Sequence, residues 1–177
     1  MSVDSLVKKA KKGDWDSYLD LVLEKKDLLY HKALTLLRNE FDAADAVEDS
    51  IIKGFEGLNR LEEPRYFHTW LVRILINTCI DIQRKNQKTV FLYEPREEAD
   101  NLHLAEAADL RLDLQQQLDS MDPKYRTVLI LRFFEDQTIE EIARVMGLPP
   151  GTVKSRLFYG LRKLRTNLEG VKQNEVQ

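Results

Sequence analysis

Between Thr138 and Arg165 the chain carries a pattern that few backbones can satisfy. Thr138-Ile139-Glu140-Glu141 is a capping box: the threonine side chain accepts an amide of the first helical turn, and the glutamate three residues on reaches back to the cap. Ile139, Ile142, Ala143 and Met146 then form one face of a short helix. Gly147 supplies a left-handed stop and Leu148 plugs the corner. Pro149-Pro150 opens a second helix, where the missing amide hydrogen costs nothing. Val153, Leu157, Leu161 and Leu164 are expected to form its buried stripe. A capped short helix, a glycine turn and a longer helix together spell a helix-turn-helix.

The second helix of this pair is basic. Residues 150–165 hold Lys154, Arg156, Arg162, Lys163 and Arg165 and no acid. At ~100° per residue, the side away from the leucine stripe carries Thr152, Ser155, Tyr159 and Arg162, flanked by Lys154 and Arg156. Hydroxyls and arginine reach base edges in a major groove, and flanking cations reach phosphates. DNA reading follows from the agreement of cap, turn, stripe and charge.

The rest of the chain bounds what else the protein can be. It has 177 residues, enough for one or two domains. Seven glycines and five prolines are few for this length and favour long helices over a turn-rich β fold. One cysteine, Cys79, excludes an internal disulfide framework and a multi-cysteine zinc site. No apolar run approaches the ~18 residues of a membrane span, and Met1-Ser2-Val3-Asp4 does not open a secretory signal. The expectation is a cytoplasmic, all-α protein without metal or cofactor.

Helical spacing runs through residues 4–39, on Leu6, Tyr18, Leu19, Val22, Leu23, Leu29, Ala33, Leu36 and Leu37. Gly13-Asp14 breaks it, with Asp14 a cap for the next helix, and Asp27 marks a possible second break. Asp42 predicts the start of a helix over about 43–58, with Val47, Ile51, Phe55 and Leu58 inward. Asp45, Asp49, Ile52, Lys53 and Glu56 lie away from that inward face. After a loop at 59–64, helices are expected over 65–76 and about 78–86. The period fails over 87–108, where Pro95 sits among Glu94, Glu97, Glu98, Asp100 and Glu106 with only Arg96 as a base. This reads as a flexible acidic linker. Helix resumes near 109, and the tail after Glu169 is polar.

Charge is segregated along the first half. Between Glu40 and Glu63 there are eight acids against Lys53 and Arg60, whereas 65–88 holds Arg65, Arg73, Arg84, Lys85 and Lys88 against Asp81 alone. One acidic and two basic patches imply different partners for different faces. Ile52 among acids suits a protein-docking face, since apolar contact gives affinity and charge gives steering. The aromatic residues Tyr66, Phe67 and Trp70 beside these cations suit unstacked bases and a phosphate backbone, although Phe67 and Trp70 also fit a helical core stripe.

Leu148 to Leu157, reading LPPGTVKSRL, resembles the recognition helix of region 4 of bacterial RNA polymerase sigma factors. Asp45 to Phe55, DAVEDSIIKGF, resembles their region 2 helix that docks on polymerase, and Phe67 to Asn77, FHTWLVRILIN, resembles the segment that opens the promoter. The order and spacing are those of the extracytoplasmic-function (ECF) group, over about residues 4–168. The resemblance implies two small helical domains: region 2 over 1–88 and a helix-turn-helix region 4 over 109–170, joined by the linker 89–108 and followed by a polar tail at 171–177. It implies core RNA polymerase docking through Asp45, Glu48, Asp49, Ile52, Lys53 and Glu56. It implies −10 contacts from Trp70, Arg73, Asn77, Arg84 and Lys85, with Asn77 at the start of a loop that reads a flipped base. It implies −35 contacts from Thr152, Lys154, Ser155, Arg156, Tyr159 and Arg162. Tyr159 stands where many relatives carry a basic residue, so their −35 preference does not transfer. The partners implied are core polymerase, promoter DNA and an anti-sigma protein, with nucleoid association in the holoenzyme. The alternative is a stand-alone helix-turn-helix regulator with an N-terminal helical interaction domain. An enzyme is disfavoured: His31, His68 and His103 are scattered, Cys79 has no histidine near it in sequence, and no glycine-rich phosphate loop exists.

The composition shift predicts that limited proteolysis of the free protein cuts first between about 87 and 108, giving two stable fragments by mass spectrometry. A first cut inside either helical segment would contradict the assignment.

Overall fold

The computed structural model describes the backbone of residues 2–90 and 114–174 and the side chains of 2–88 and 114–166. Its helices are α1 (Val3–Ala10), α2 (Trp15–Leu23), α3 (Lys26–Leu37), α4 (Glu40–Gly57), α5 (Phe67–Val90), a helical stretch at 114–119 (α6), α7 (Pro123–Phe133), α8 (Ile139–Met146) and α9 (Pro150–Asn174). Short 3-10 turns at Leu58–Arg60 and Pro64–Tyr66 join α4 to α5. No strand occurs among the described residues. Apart from positions 89–90, which continue α5, the acidic linker lies outside the described residues.

Local chemistry sets the boundaries. Asp14 caps α2 as its sequence suggests, accepting the Ser17 amide. The next break falls at Glu24-Lys25 rather than at Asp27, which sits in the first turn of α3 where a carboxylate meets the positive end of the helix. α4 begins earlier than expected, because Asn39 and not Asp42 is its cap: the Asn39 side chain accepts the Asp42 amide at 2.9 Å. The predicted break near residue 77 is absent. Asn77-Thr78 contains no breaker, and Thr78, Cys79 and Ile80 continue the buried face, so α5 is one helix of 24 residues. α9 likewise runs on to Asn174, past the point where its apolar spacing fades.

One buried cluster holds α1–α5 together, with Tyr18, Leu21, Leu29, Leu36, Phe67, Leu71, Leu75 and Ile76 all nearly inaccessible. Each such side chain contributes roughly 1.5–3 kcal/mol by burial. Leu23, expected inside, is 60% exposed, because α2 ends there and its inward positions are Tyr18, Leu21 and Val22. Tyr18 is held by polar as well as apolar contact. Its hydroxyl donates to the Ile51 carbonyl at 2.8 Å, and burial raises its pKa so that it stays a donor. Phe55 and Phe67 meet its ring edge-on.

The cluster does not stop at α5. Val128, Ile130 and Leu131 of α7 and Ile142, Ala143 and Met146 of α8 belong to it, and α5 touches both helices. A smaller cluster of Leu118, Met121, Leu129 and Leu164 binds α6, α7 and α9. The helix-turn-helix follows its sequence signature closely. Thr138 and Glu141 form the reciprocal capping box, which holds the Glu141 carboxyl below its usual pKa, and Gly147 is left-handed at φ 64°.

Gly54 shows how packing overrides propensity. Alanine in a helix interior is ordinarily better than glycine by ~1 kcal/mol, but a Cβ at Gly54 would run into the Tyr18 hydroxyl and a Leu71 methyl. Gly151, in the first turn of α9, has open space instead. Gly54→Ala is therefore expected to lower Tm and Gly151→Ala to leave it unchanged or raise it, measured by thermal circular dichroism. A stabilised Gly54→Ala protein would show that the α2–α4 packing is looser than described.

Candidate protein-docking and nucleic-acid interfaces

Three exposed faces carry the predicted residues. The first is on α4. Burial of Ala43, Ala46, Val47, Ser50 and Gly54 against the core turns Asp45, Glu48, Asp49, Ile52, Lys53 and Glu56 to solvent. Ile52 is 54% exposed among these acids. The face extends one turn further than the spacing alone suggests: Phe41 is 83% exposed and lies four and eleven residues before Asp45 and Ile52, hence on the same stripe. That spacing was available in the sequence, but the helix was expected to begin after Phe41. Lys53 is tied to the neighbouring helix, with its Nζ 3.3 Å from the Thr78 hydroxyl and 3.9 Å from Asp49.

The second face is on α5. Leu71, Leu75, Ile76 and Cys79 point into the core, leaving Arg73, Asn77, Asp81, Arg84, Lys85 and Lys88 exposed. Trp70, Arg73, Asn77, Arg84 and Lys88 recur at three-, four- and seven-residue steps and so share a stripe about five turns long. Asp81 partly offsets it, 3.8 Å from Arg84. Asn77 does not begin a loop; it is mid-helix, and the nearby loop is the 3-10 segment after α4. Between that segment and α5 lies a groove of about 350 Å³ lined by Lys53, Gly57, Arg60, Trp70, Ile74, Asn77, Thr78 and Asp81. Trp70 is half-buried and Phe67 fully buried, so Phe67 is core while Trp70 presents one edge to this groove.

The third face is on α9. Val153 and Leu164 are buried, but Leu161 is 45% exposed and not part of the inner stripe. Gly160 takes that place. It lies buried against Leu129 and Tyr125 of α7, so α9 approaches closely and Leu161 is rotated to the flank. Lys154, Ser155, Tyr159 and Arg162 are exposed, with Thr152 and Arg156 half-exposed at the edges. Ser155 donates its hydroxyl hydrogen to the Thr152 carbonyl at 2.9 Å, so its oxygen faces outward as an acceptor. Phe158, absent from the residues expected on this face, is 62% exposed beside Tyr159, with ring centroids 5.6 Å apart. The Arg162 guanidinium stands 5.8 Å from the Tyr159 ring. A helical wheel places Phe158 on this outer face, so its position was legible.

The remaining reactive groups are poorly placed for chemistry. Burial pushes the Cys79 thiol up to about 12, and burial lowers the His68 pKa against the opposing pull of Glu24, whose carboxylate lies 3.8 Å from Nε2; neither ring nitrogen makes a hydrogen bond. Among the described residues no three metal-ligating side chains converge, and no helix is long and apolar enough to cross a membrane.

The chain is similar to known proteins over almost its whole length. Residues 21–89 match the family model for sigma-70 region 2 and residues 111–164 that for sigma-70 region 4. The chain is 31% identical to the ECF RNA polymerase sigma factor SigW of Bacillus subtilis, across 95% of this chain and 97% of that one. It is 34% identical to RNA polymerase sigma factor SigV of the same organism, across 83% and 88%. Among solved structures it is similar to CnrH in complex with the cytosolic domain of CnrY (23% identity, TM-score 0.58, 96% and 99% covered). It is also similar to the sigma factor RpoE in complex with the anti-sigma factor NepR from Bartonella quintana (25% identity, TM-score 0.55, 86% and 96% covered). With sigma-70 regions 2 and 4 both present, this is a sigma-70-type protein; the chain belongs to the ECF RNA polymerase sigma factors.

Proposed function

We propose that the chain is a promoter-specificity subunit that binds core RNA polymerase, reads −35 and −10 elements and helps to melt DNA, without catalysis of its own. The observation that carries this reading is the coexistence of three chemically distinct exposed faces: acidic-apolar on α4, cationic on α5 and helix-turn-helix on α9. A stand-alone regulator would use the third and leave the first two without purpose. Polymerase docking falls to Asp45, Glu48, Asp49, Ile52, Lys53 and Glu56, with Phe41 extending the apolar part. An exposed phenylalanine and isoleucine supply the desolvated contacts, and the acids steer a basic partner surface.

The −10 side uses α5. Arg73, Arg84 and Lys85 track phosphates, while Trp70 and Asn77 border the groove, which offers an unstacked base an aromatic edge and an amide. Melting by capture needs no covalent step, because holding bases out of the stack shifts the duplex equilibrium. The −35 side uses α9. Ser155, Tyr159 and Arg162 face the base edges, Thr152 and Arg156 border them, and Lys154 reaches the groove wall. The domain limits 1–88 and 109–170 with a linker at 89–108 fit this division of labour. The protein works in the cytoplasm, on the nucleoid when in holoenzyme, and an anti-sigma protein is its inhibitory partner, as NepR is found with RpoE.

Two measurements test the faces separately. Asp49→Lys with Ile52→Glu is expected to weaken binding to core polymerase in a pull-down while circular dichroism stays normal, since both side chains are exposed. Unchanged affinity would remove the α4 face from the proposal. On α9, Arg162→Ala is expected either to relax preference at one −35 position, a loss of ~1–3 kcal/mol of discrimination, or to weaken all sequences with a salt slope shallower by about one counterion. Lys154→Ala should do the latter. If Ser155, Tyr159 and Arg162 all become alanine with promoter choice and affinity intact, α9 is not the reader.

A further inference from the structure

We infer that Lys11, in the N-terminal segment that none of the three faces uses, is a positioning residue for strand capture: its ammonium ties α1 to the loop at 58–66 and so fixes one wall of the groove beside Trp70. The tie rests on contacts within the α1–α5 unit; its role in capture rests on the groove reading proposed above.

The loop has little of its own to hold it. Leu61 and Glu63, between the two 3-10 turns, have extended backbones with ψ 108° and 110°, so residues 61–63 belong to neither turn. The Leu61 side chain is buried, and a carbonyl carried beside the core needs a hydrogen-bond partner. Lys11 supplies it: the Lys11 Nζ donates to the Leu61 carbonyl at 2.5 Å, across 50 residues of chain. A cationic donor makes this the stronger kind of hydrogen bond. Lys11 is itself firmly placed. It ends α1, whose Leu6, Val7 and Ala10 are buried in the common core, and α1 also packs on the turn Pro64–Tyr66. Lys11 is half-buried, whereas Lys12 beside it is exposed.

The loop so held is a wall of the site. Arg60 lines the groove of about 350 Å³ with Trp70 and Asn77. Arg60 also joins Leu61, Glu62, Glu63 and Tyr66 along a second groove of about 450 Å³, again bordered by Trp70. Arg60 and Trp70 are common to both, so the two grooves adjoin there. Lys11 lines neither groove and therefore acts through the loop, not on the nucleic acid. A wall ordered before binding spares the complex the entropy of ordering it later. Refixing the backbone of a single loosened residue costs about tenfold in affinity.

The test uses the full chain. Trp15→Phe leaves Trp70 as the one tryptophan. In that background Lys11→Met should raise acrylamide quenching of Trp70 fluorescence, with circular dichroism reporting that the helices persist. Lys12→Met, which removes the same charge from an exposed neighbour, should not, and Lys11→Arg, which keeps a cationic donor, should behave as the parent. Unchanged quenching, equal effects of the two methionine variants, or no rescue by arginine overturns the tie without reference to DNA. For the functional half, the probe is a single-stranded oligonucleotide carrying the −10 element of a promoter that wild-type holoenzyme transcribes. Holoenzyme made with Lys11→Met should bind it about tenfold more weakly, with an unaltered salt slope and unaltered binding of −35 duplex. A slope shallower by about one counterion would make Lys11 a phosphate contact and overturn the positioning role. Full single-strand affinity overturns that role too, where Trp70→Ala weakens binding. If Trp70→Ala also leaves binding intact, the groove reading itself fails and the capture role falls with it, while the tie measured by fluorescence stands.

Discussion

The burial of one face of α5 is the constraint on which the rest depends. Leu71, Leu75, Ile76 and Cys79 are almost wholly removed from water, and α3, α4, α7 and α8 all pack against this helix. Fixing that face fixes the opposite one. A stripe of Arg73, Asn77, Arg84 and Lys88 becomes exposed because the same rigid helix cannot turn it elsewhere. A surface carried on a core helix is held more firmly than one carried on a loop, and the continuity of α5 through Asn77 gives that firmness to the amide.

The exposed acidic-apolar face of α4 is a consequence of the same packing. Gly54 lets α4 settle onto the Tyr18 hydroxyl and Leu71, and Tyr18 in turn anchors the Ile51 carbonyl. With that side fixed, Phe41, Ile52 and the acids have no core to join. Lys53 bridges toward Thr78, so the acidic and the cationic faces meet along one edge. The faces proposed for partner docking and strand capture thus occupy adjacent surfaces of a single packed unit.

Much of this was legible in the residues. The helix-turn-helix could be read almost completely, because a capping box, a left-handed glycine and an apolar stripe are local features with local causes. The outward faces of α4 and α5 followed from helical spacing. Where reading by spacing failed, a distant contact was responsible. Leu161 was assigned to the α9 stripe, but the close approach permitted by Gly160 against Leu129 turned the helix so that Leu161 sits at the flank. Asn77 was placed at the start of a loop by the family resemblance, yet Thr78 and Cys79 are buried and the helix continues.

By itself the sequence determined the all-α class, the cap and turn of the helix-turn-helix, the family likeness and the chemistry of each face. These depend on neighbours within about four residues along a helix, where spacing alone decides what points where. Tertiary structure alone decided the half-burial of Trp70. It alone brought Arg126 to the Leu36 carbonyl, 90 residues away in the chain, and laid Arg73 over the glycine of the turn. Contacts of that kind depend on which helices share a core, and no periodicity encodes a partner that remote.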